Sequence, residues 1–217
     1  MYAIEILRDI TQTIEFEEKE VDDKLIGVSI YLANQALSAG EMHEWEFIVI
    51  KDPVIKERVY EAALRQNWIR SAPILVVICM NEERVVNKYG EKGKKYGEQD
   101  VSFAAYSLVL AANSIGLGTY LAQAFDEDKV SEILKLPKRL KPKFIVCLGY
   151  PKIKREKSRV DIDRITWLNE YGKKYEFSYY LEPFSTKETP TTEEILRDFL
   201  KKKSIKEKIK SFFFRKH

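Results

Sequence analysis

A chain of 217 residues is long enough for one large domain and barely enough for two small ones. Its 45% apolar and 12% aromatic content excludes a disordered chain, while 33% charged residues with few Gly, Pro and Cys lean toward the pattern of hyperthermophile proteins. The net charge of +3 is unevenly spread: Lys201 to His217 carry eight basic residues against Glu207 alone, a local +7 that leaves −4 elsewhere. The start, Met1 to Arg8, is charged and lacks the apolar stretch of a secretion signal. No run reaches the ~20 apolar residues of a membrane span, so a cytoplasmic protein is expected.

In chain order, Val21 to Leu37 predicts a helix, with Asp22 and Asp23 where a helix N-terminus favours negative charge. Trp45 to Ile50 is aromatic and β-branched, hence a strand, and Lys51-Asp52-Pro53 stops it before a helix over Val54 to Gln66. Pro73 to Met80 is apolar on both faces, which predicts a central strand covered on each side. A polar loop is expected from Asn81 to Gln99. The helix Asp100 to Ile115 is then so rich in apolar and small residues that it must be buried nearly all round, with Gly116 as its C-cap. A strand over Gly118 to Ala122 follows, then a helix over Asp128 to Leu134 capped by Asp126, then a buried strand over Phe144 to Gly149. Cys79 and Cys147, each inside an apolar run, read as buried small hydrophobes. Four strands separated by helices predict a single α/β or α+β sheet domain.

Several segments resemble motifs of the nitroreductase family. Ala36 to Asp52 is similar to its Ser-containing loop and the strand after it, and Gln66-Asn67-Trp68-Ile69-Arg70-Ser71-Ala72-Pro73 to the approach to its second strand. Asp100 to Ala112 resembles its Ala-rich helix. Gly116-Leu117-Gly118-Thr119, Ala124-Phe125-Asp126 and Leu148-Gly149-Tyr150-Pro151 follow in the family's order, so that the likeness spans roughly Val21 to Gly172. The resemblance implies an α+β fold, with a central, mainly antiparallel or mixed sheet flanked by helices. It also implies FMN as cofactor, with hydride passed from NAD(P)H to a nitro, quinone or similar acceptor. It further implies a homodimer with FMN at the interface, built partly from the Ser38 loop of one subunit and the Gln123 segment of the other. The cofactor carries the redox chemistry in such a site, so neither a nucleophile nor an acid–base triad nor a metal is required.

The implied cofactor contacts fall on Ser38, Ala39, Gly40, Glu41 and His43 in the loop, and on the backbone at Gln123 and Ala124. Glu41 and His43 stand where the family has Asn and Gln, and Glu44 where it has Pro. Glu41 can still accept from the flavin N3–H, although its charge opposes negative charge on a reduced ring; in the alternative reading both residues are simply solvated. Gln123 replaces a usual Gly, a change that a backbone contact survives if φ stays negative. Both arginines of the family's N-terminal phosphate clasp are missing, since Thr11, Gln12, Thr13 and Ile14 occupy those positions. Arg8, Thr11 or Thr13, and Arg159 within Lys157-Ser158-Arg159 are the candidate replacements, Arg159 because a guanidinium makes paired bonds to phosphate. These departures leave a second function open, a nitroreductase-fold binding module for flavin or another ligand with little or no catalysis.

Beyond the domain expected at 1–182, residues 183–217 read as a basic helical extension, with Glu193 and Glu194 near its start. A basic helix ending in Phe212-Phe213-Phe214 suits an anionic membrane surface, nucleic-acid phosphates, or packing of its phenylalanines on its own dimer.

Overall fold

Residues 3–175 are described by a computed structural model. The extension expected at 183–217 lies outside them. The chain divides into two compact units, Ile10–Glu156 and a smaller one made of Met1–Asp9 with Lys157–His217. The smaller unit holds helix α1 (Ala3–Asp9) and a single 3-10 turn at Ile162–Arg164, where Asp161 accepts from the Asp163 amide.

The larger unit opens with strand β1 (Thr13–Phe16) and helix α2 (Asp23–Ala33), followed by β2 (Trp45–Ile50) and the helices α3 (Pro53–Ala62) and α4 (Asn67–Ser71). Strand β3 (Ile74–Asn81) leads into α5 (Glu82–Tyr89) and the long α6 (Gly93–Ser114). The unit closes with β4 (Gly118–Ala122), α7 (Glu127–Ile133), β5 (Leu140–Gly149) and β6 (Pro151–Lys154). The main sheet has the order β2-β3-β5-β4 and every pairing in it is antiparallel, with Val77 facing both Ile48 and Ile145. β1 and β6 form a separate antiparallel pair. This is the α+β architecture expected from the sequence.

All eight residues of β3 are buried, and the period-2 alternation of a strand sends them to two cores. Ile74, Val76, Ile78 and Met80 pack with Val101, Ala104, Ala105 and Leu108 of α6. Leu75, Val77 and Cys79 pack with Val59, Tyr60, Ile69 and Val130 on the opposite face. Full burial of each large aliphatic side chain contributes about 1.5–3 kcal/mol, so the strand that touches both layers is the thermodynamic centre of the unit. Cys79 and Cys147 are free and buried, and burial pushes the Cys79 thiol up to about 12 and that of Cys147 up as well, so neither is a nucleophile at neutral pH. No helix among the described residues is long and apolar enough to cross a membrane.

Helix starts follow local chemistry. Asp22 accepts from Lys24 N–H, Asp52 from Val54 and Ile55 N–H with Pro53 in the first turn, and Asp126 from Lys129 N–H. Ends and connections diverge from expectation. The helix expected to run to Gln66 stops at Ala62, because Leu64 and Arg65 adopt left-handed φ of 57° and 53° and the chain re-enters a helix as α4. No glycine marks that break. The expected polar loop Asn81 to Gln99 is mostly helical: Asn81 caps α5 through Arg84 N–H, and α6 begins at Gly93, seven residues before Asp100. α5 buries Val85 alone, so it offers no apolar stripe to read. Gly93 and Gly97, which resemble breakers in sequence, are instead points of close approach, to Val85 and Met80. Helix α1 and the β1–β6 pair were not anticipated, being short and partly exposed.

A Cβ on Gly93 would come within 2.7 Å of the Val85 carbonyl carbon, which as backbone cannot step aside. Gly93→Ala is therefore expected to destabilise by about 1–3 kcal/mol, although Ala is the better helix former by ~1 kcal/mol. Urea denaturation checks the sign; an unchanged or raised midpoint would mean that α5 and α6 do not meet this closely.

Candidate functional site

Between α2 and β2 the chain makes a 3-10 turn over Ala39–Glu41 in which Gly40, Glu41 and, beyond it, His43 have φ of +56°, +56° and +47°. Glycine adopts that region freely, whereas Glu and His are held there at a cost of order 1–3 kcal/mol each. The tethers that hold them are specific. Ser38 Oγ accepts from the His43 amide at 3.0 Å, and Ser38 O from the Glu41 amide at 3.2 Å. From α5, Lys88 Nζ donates to Gly40 O at 2.9 Å, and the Arg84 guanidinium donates to Met42 O at 3.2 Å and His43 O at 3.4 Å. From α6, Asp100 Oδ2 accepts the Ala39 amide at 2.8 Å. The Tyr89 hydroxyl lies where a Cβ on Gly40 would be, so that side too is closed to anything but glycine. Trp45 anchors the far end through Nε1–H to Asn34 Oδ1 and an edge contact with His43. Gly40, Glu41 and His43 face solvent; Ser38 and Ala39 are half-buried.

Glu44 points the other way. It is 0% exposed and neither of its carboxyl oxygens has a hydrogen-bond partner among the described residues. Burial first, and then the nearby Asp100 carboxylate, push its carboxyl up to about 7, against the lowering influence of its own backbone amide and of Arg84.

Gln123 and Ala124 lie exposed just beyond β4. Gln123 is absent from the positive-φ residues, so its backbone has the negative φ that the usual Gly does not require. Gln66 fixes this turn, donating from Nε2 to both Ala124 O and Ala63 O at 2.7 Å, while its Oε1 accepts from Trp68 Nε1. Trp68 in turn stacks on Tyr120 at 4.1 Å. Gln12 Oε1 accepts the Leu121 amide of the same strand at 2.9 Å. The hydroxyls of Thr11 and Thr13 are buried without partners among the described residues. The structure thus ties Gln12, the neighbour of Thr11, to the strand that ends at Ala122. The Ser38 loop, in contrast, precedes β2 and the Gln123 turn follows β4, and these are opposite edge strands of the sheet.

In the smaller unit Arg8 makes two bonds to Asp9, of 2.8 and 3.0 Å, and Arg159 donates to Ser158 O. The Lys157 ammonium is lowered by burial and then by Arg159, with Arg8 adding to the effect and Asp9 opposing it. Arg159 and Arg8 thus act on Lys157 together with the carboxylate of Asp9.

Sequence reasoning missed Arg84 and Lys88, and noted Gln12, Lys157, Asp100 and Glu44 only as motif positions. Of these Glu44 carried a signal, as a charged residue in place of a proline. An open cleft of about 770 Å³ near Glu17, Lys19, Lys56 and Lys152 contains none of the expected residues. Among the described residues no cluster of three or more His, Cys, Asp or Glu could hold a metal.

The nitroreductase family model matches residues 62–150. A Methanocaldococcus jannaschii protein provisionally named a nitroreductase is 32% identical over 135 residues, 62% of this chain and 60% of its own length. A Methanothermobacter thermautotrophicus protein provisionally named an NADH dehydrogenase/NAD(P)H nitroreductase is 27% identical over 155 residues, 70% of this chain and 78% of its own. The crystal structure of a nitroreductase family protein from Clostridium novyi NT superposes with a TM-score of 0.65 at 25% identity, covering 81% of this chain and 97% of that one. The matched segment carries β3, α6, β4 and β5, elements that hold most of the motifs singled out in the sequence, and over that segment the chain is similar to the nitroreductase family.

Proposed function

We propose that the protein is an FMN-dependent oxidoreductase that takes hydride from NAD(P)H and delivers it to a nitro, quinone or similar acceptor, as a cytoplasmic homodimer. The observation that carries this reading is the Ser38–His43 loop. Three left-handed residues, two of them not glycine, face solvent and are held there by α5 and α6. Nothing in the packing of the sheet requires this strain, and backbone strain of this kind concentrates at ligand clamps. The separation of that loop from the Gln123 turn, at opposite edges of the sheet, supports a site assembled from two chains.

Bound FMN would supply the hydride chemistry. Within the larger unit Thr11 has a buried hydroxyl without a partner among the described residues, suited to donate to a phosphate oxygen. Arg8 and Arg159 are proposed as phosphate cations on the resemblance alone. Glu41, with the backbone of Ala39 and Gly40 and the His43 ring, would hold the flavin by accepting from it. Ser38 acts by holding the His43 amide. The backbone amides of Gln123 and Ala124, at a turn that Gln66 keeps fixed, would supply donors to the same group in a dimer.

The purified protein is expected to show a flavin absorption band near stoichiometry, to oxidise NADH or NADPH with a quinone or nitroarene present, and to sediment as a dimer at micromolar concentration. A colourless protein that takes up no added FMN would favour the second reading, a binding module. That reading is motivated by the absent arginine pair and by the engagement of Arg8 with Asp9.

Arg159→Ala should weaken FMN about 10- to 150-fold, the equivalent of a charge-assisted bond of about 1.5–3 kcal/mol, and leave riboflavin almost unaffected. Equal losses for both ligands would remove Arg159 from the phosphate.

Glu41→Asn is expected to raise the flavin reduction potential by on the order of tens of millivolts, because a negative charge beside the ring is removed. It should also raise thermal stability slightly, since Asn tolerates the left-handed conformation better than Glu. A rise in stability with an unmoved potential would place Glu41 away from the ring.

A further inference from the structure

Glu44 presents an unusual problem of solvation. Its carboxyl group is completely buried, has no donor facing either oxygen among the described residues, and is accompanied by a second carboxyl group, Asp100, that is 3% exposed. Two buried carboxylates without donors between them repel each other and forfeit their hydration, so one must keep its proton. Asp100 is already an acceptor, since its Oδ2 takes the Ala39 amide, and it sits in α6 where it cannot withdraw. The proton therefore belongs on Glu44, whose O–H then has the Asp100 carboxylate as its acceptor.

We propose that Glu44 and Asp100 share one proton as a buried carboxyl pair, and that this proton sets the position of the Ser38–His43 segment. Glu44 and Asp100 are thus positioning residues. Ala39 is tied to α6 through its amide to Asp100, and on this proposal a protonated residue 44 is tied to the same carboxylate through its own O–H. When the proton leaves for solvent, two negative charges remain. The charged groups acting on Glu44 are Asp100 from α6 and Arg84 from α5, and Arg84 is already committed to Met42 O and His43 O. Repulsion is relieved by water entering between the carboxylates, which moves the segment off α6 and breaks the Ala39 bond. The consequence for a flavin edge rests on the function proposed above; the consequence for the loop does not.

The direction with pH follows from linkage. The Glu44 carboxyl is raised from its ordinary 4.5 to about 7 in the folded chain, so the folded state binds more protons between those values. Its contribution to stability is fully present below about 4.5 and is lost as pH rises through about 7. Glu44→Gln keeps a donor to Asp100 and removes the titration.

The test is amide hydrogen exchange of the full-length protein from pH 5.5 to 8.5, corrected for the intrinsic pH dependence of exchange, alongside its thermal midpoint. Protection of the Ala39 amide should fall at least tenfold across neutral pH in the native protein and stay level in Glu44→Gln. Asp100→Asn should move the transition to lower pH. The same falling profile in Glu44→Gln, or uniform protection in the native protein, would overturn the proposal. Should neither variant fold, the Glu44 carboxyl carbon of the native protein can be titrated by NMR, and a midpoint in the ordinary carboxylate range would overturn it equally. FMN affinity measured over the same pH range separates the two readings. If Ala39 responds while FMN affinity does not, the carboxyl pair stands and the placement of flavin at this loop fails.

Discussion

Strand β3 is the constraint on which the rest of the structure depends. Each of its eight residues is buried, and its antiparallel partners on both sides leave none of its backbone groups to solvent. A strand of this kind is stable only if both faces are covered, because exposure of either would return several large aliphatic side chains to water. The α6 and α2 layer supplies one cover, and α3, α4 and α7 the other. The sheet edges are then left to β2 and β4. These edge strands have ends that carry the exposed loops, which is where a rigid scaffold places its functional residues.

The Ser38–His43 loop shows how such a scaffold holds an unfavourable backbone. Its strain is balanced by contacts from α5 and α6, and those helices are in place only because Gly93 and Gly97 let α6 run close to Val85 and Met80. Core packing and loop conformation are therefore one system. Two cations on α5 and an anion on α6 reach the same six-residue segment: Lys88 and Arg84 donate to its carbonyls, and Asp100 takes an amide. Glu44, the residue after the segment, is fully buried, the opposite of what is usual for a carboxylate.

The second edge is arranged by side-chain amides. Gln12 reaches β4 through Leu121, and Gln66 ties the turn after β4 to the end of α3. The family's Gln and Trp spacing acquires a physical meaning here. Gln66 serves three partners at once, and Trp68 both donates to it and stacks on Tyr120, so the turn bearing Gln123 and Ala124 is held through the Ala124 carbonyl and not through the Gln123 and Ala124 amides.

The sequence by itself determined the four strands of the sheet, the buried character of α6, the acidic helix start at Asp22 and the cap at Asp126. Each of these is a local signal: a period of two, a run of small and apolar residues, or an acid before a helix. The resemblance to the nitroreductase family was legible as well, through motifs in order. Left to the tertiary structure were α5 and the early start of α6, because α5 buries one valine and the first turns of α6 bury two glycines, so neither has a periodic stripe and both are held by their neighbours. The break after Ala62 was of the same kind, a left-handed turn at Leu64 and Arg65 without glycine. For the candidate site, the loop residues Ser38 to His43 and the Gln123 turn were legible through resemblance. The clamp of Arg84, Lys88 and Asp100 was not, because it joins residues about 40 to 60 positions apart whose only relation is proximity in space. That Glu44 faces inward toward Asp100 was decided there too, since a carboxylate in a polar stretch is solvated by every local rule, and only the packing of β2 against α6 removes its water.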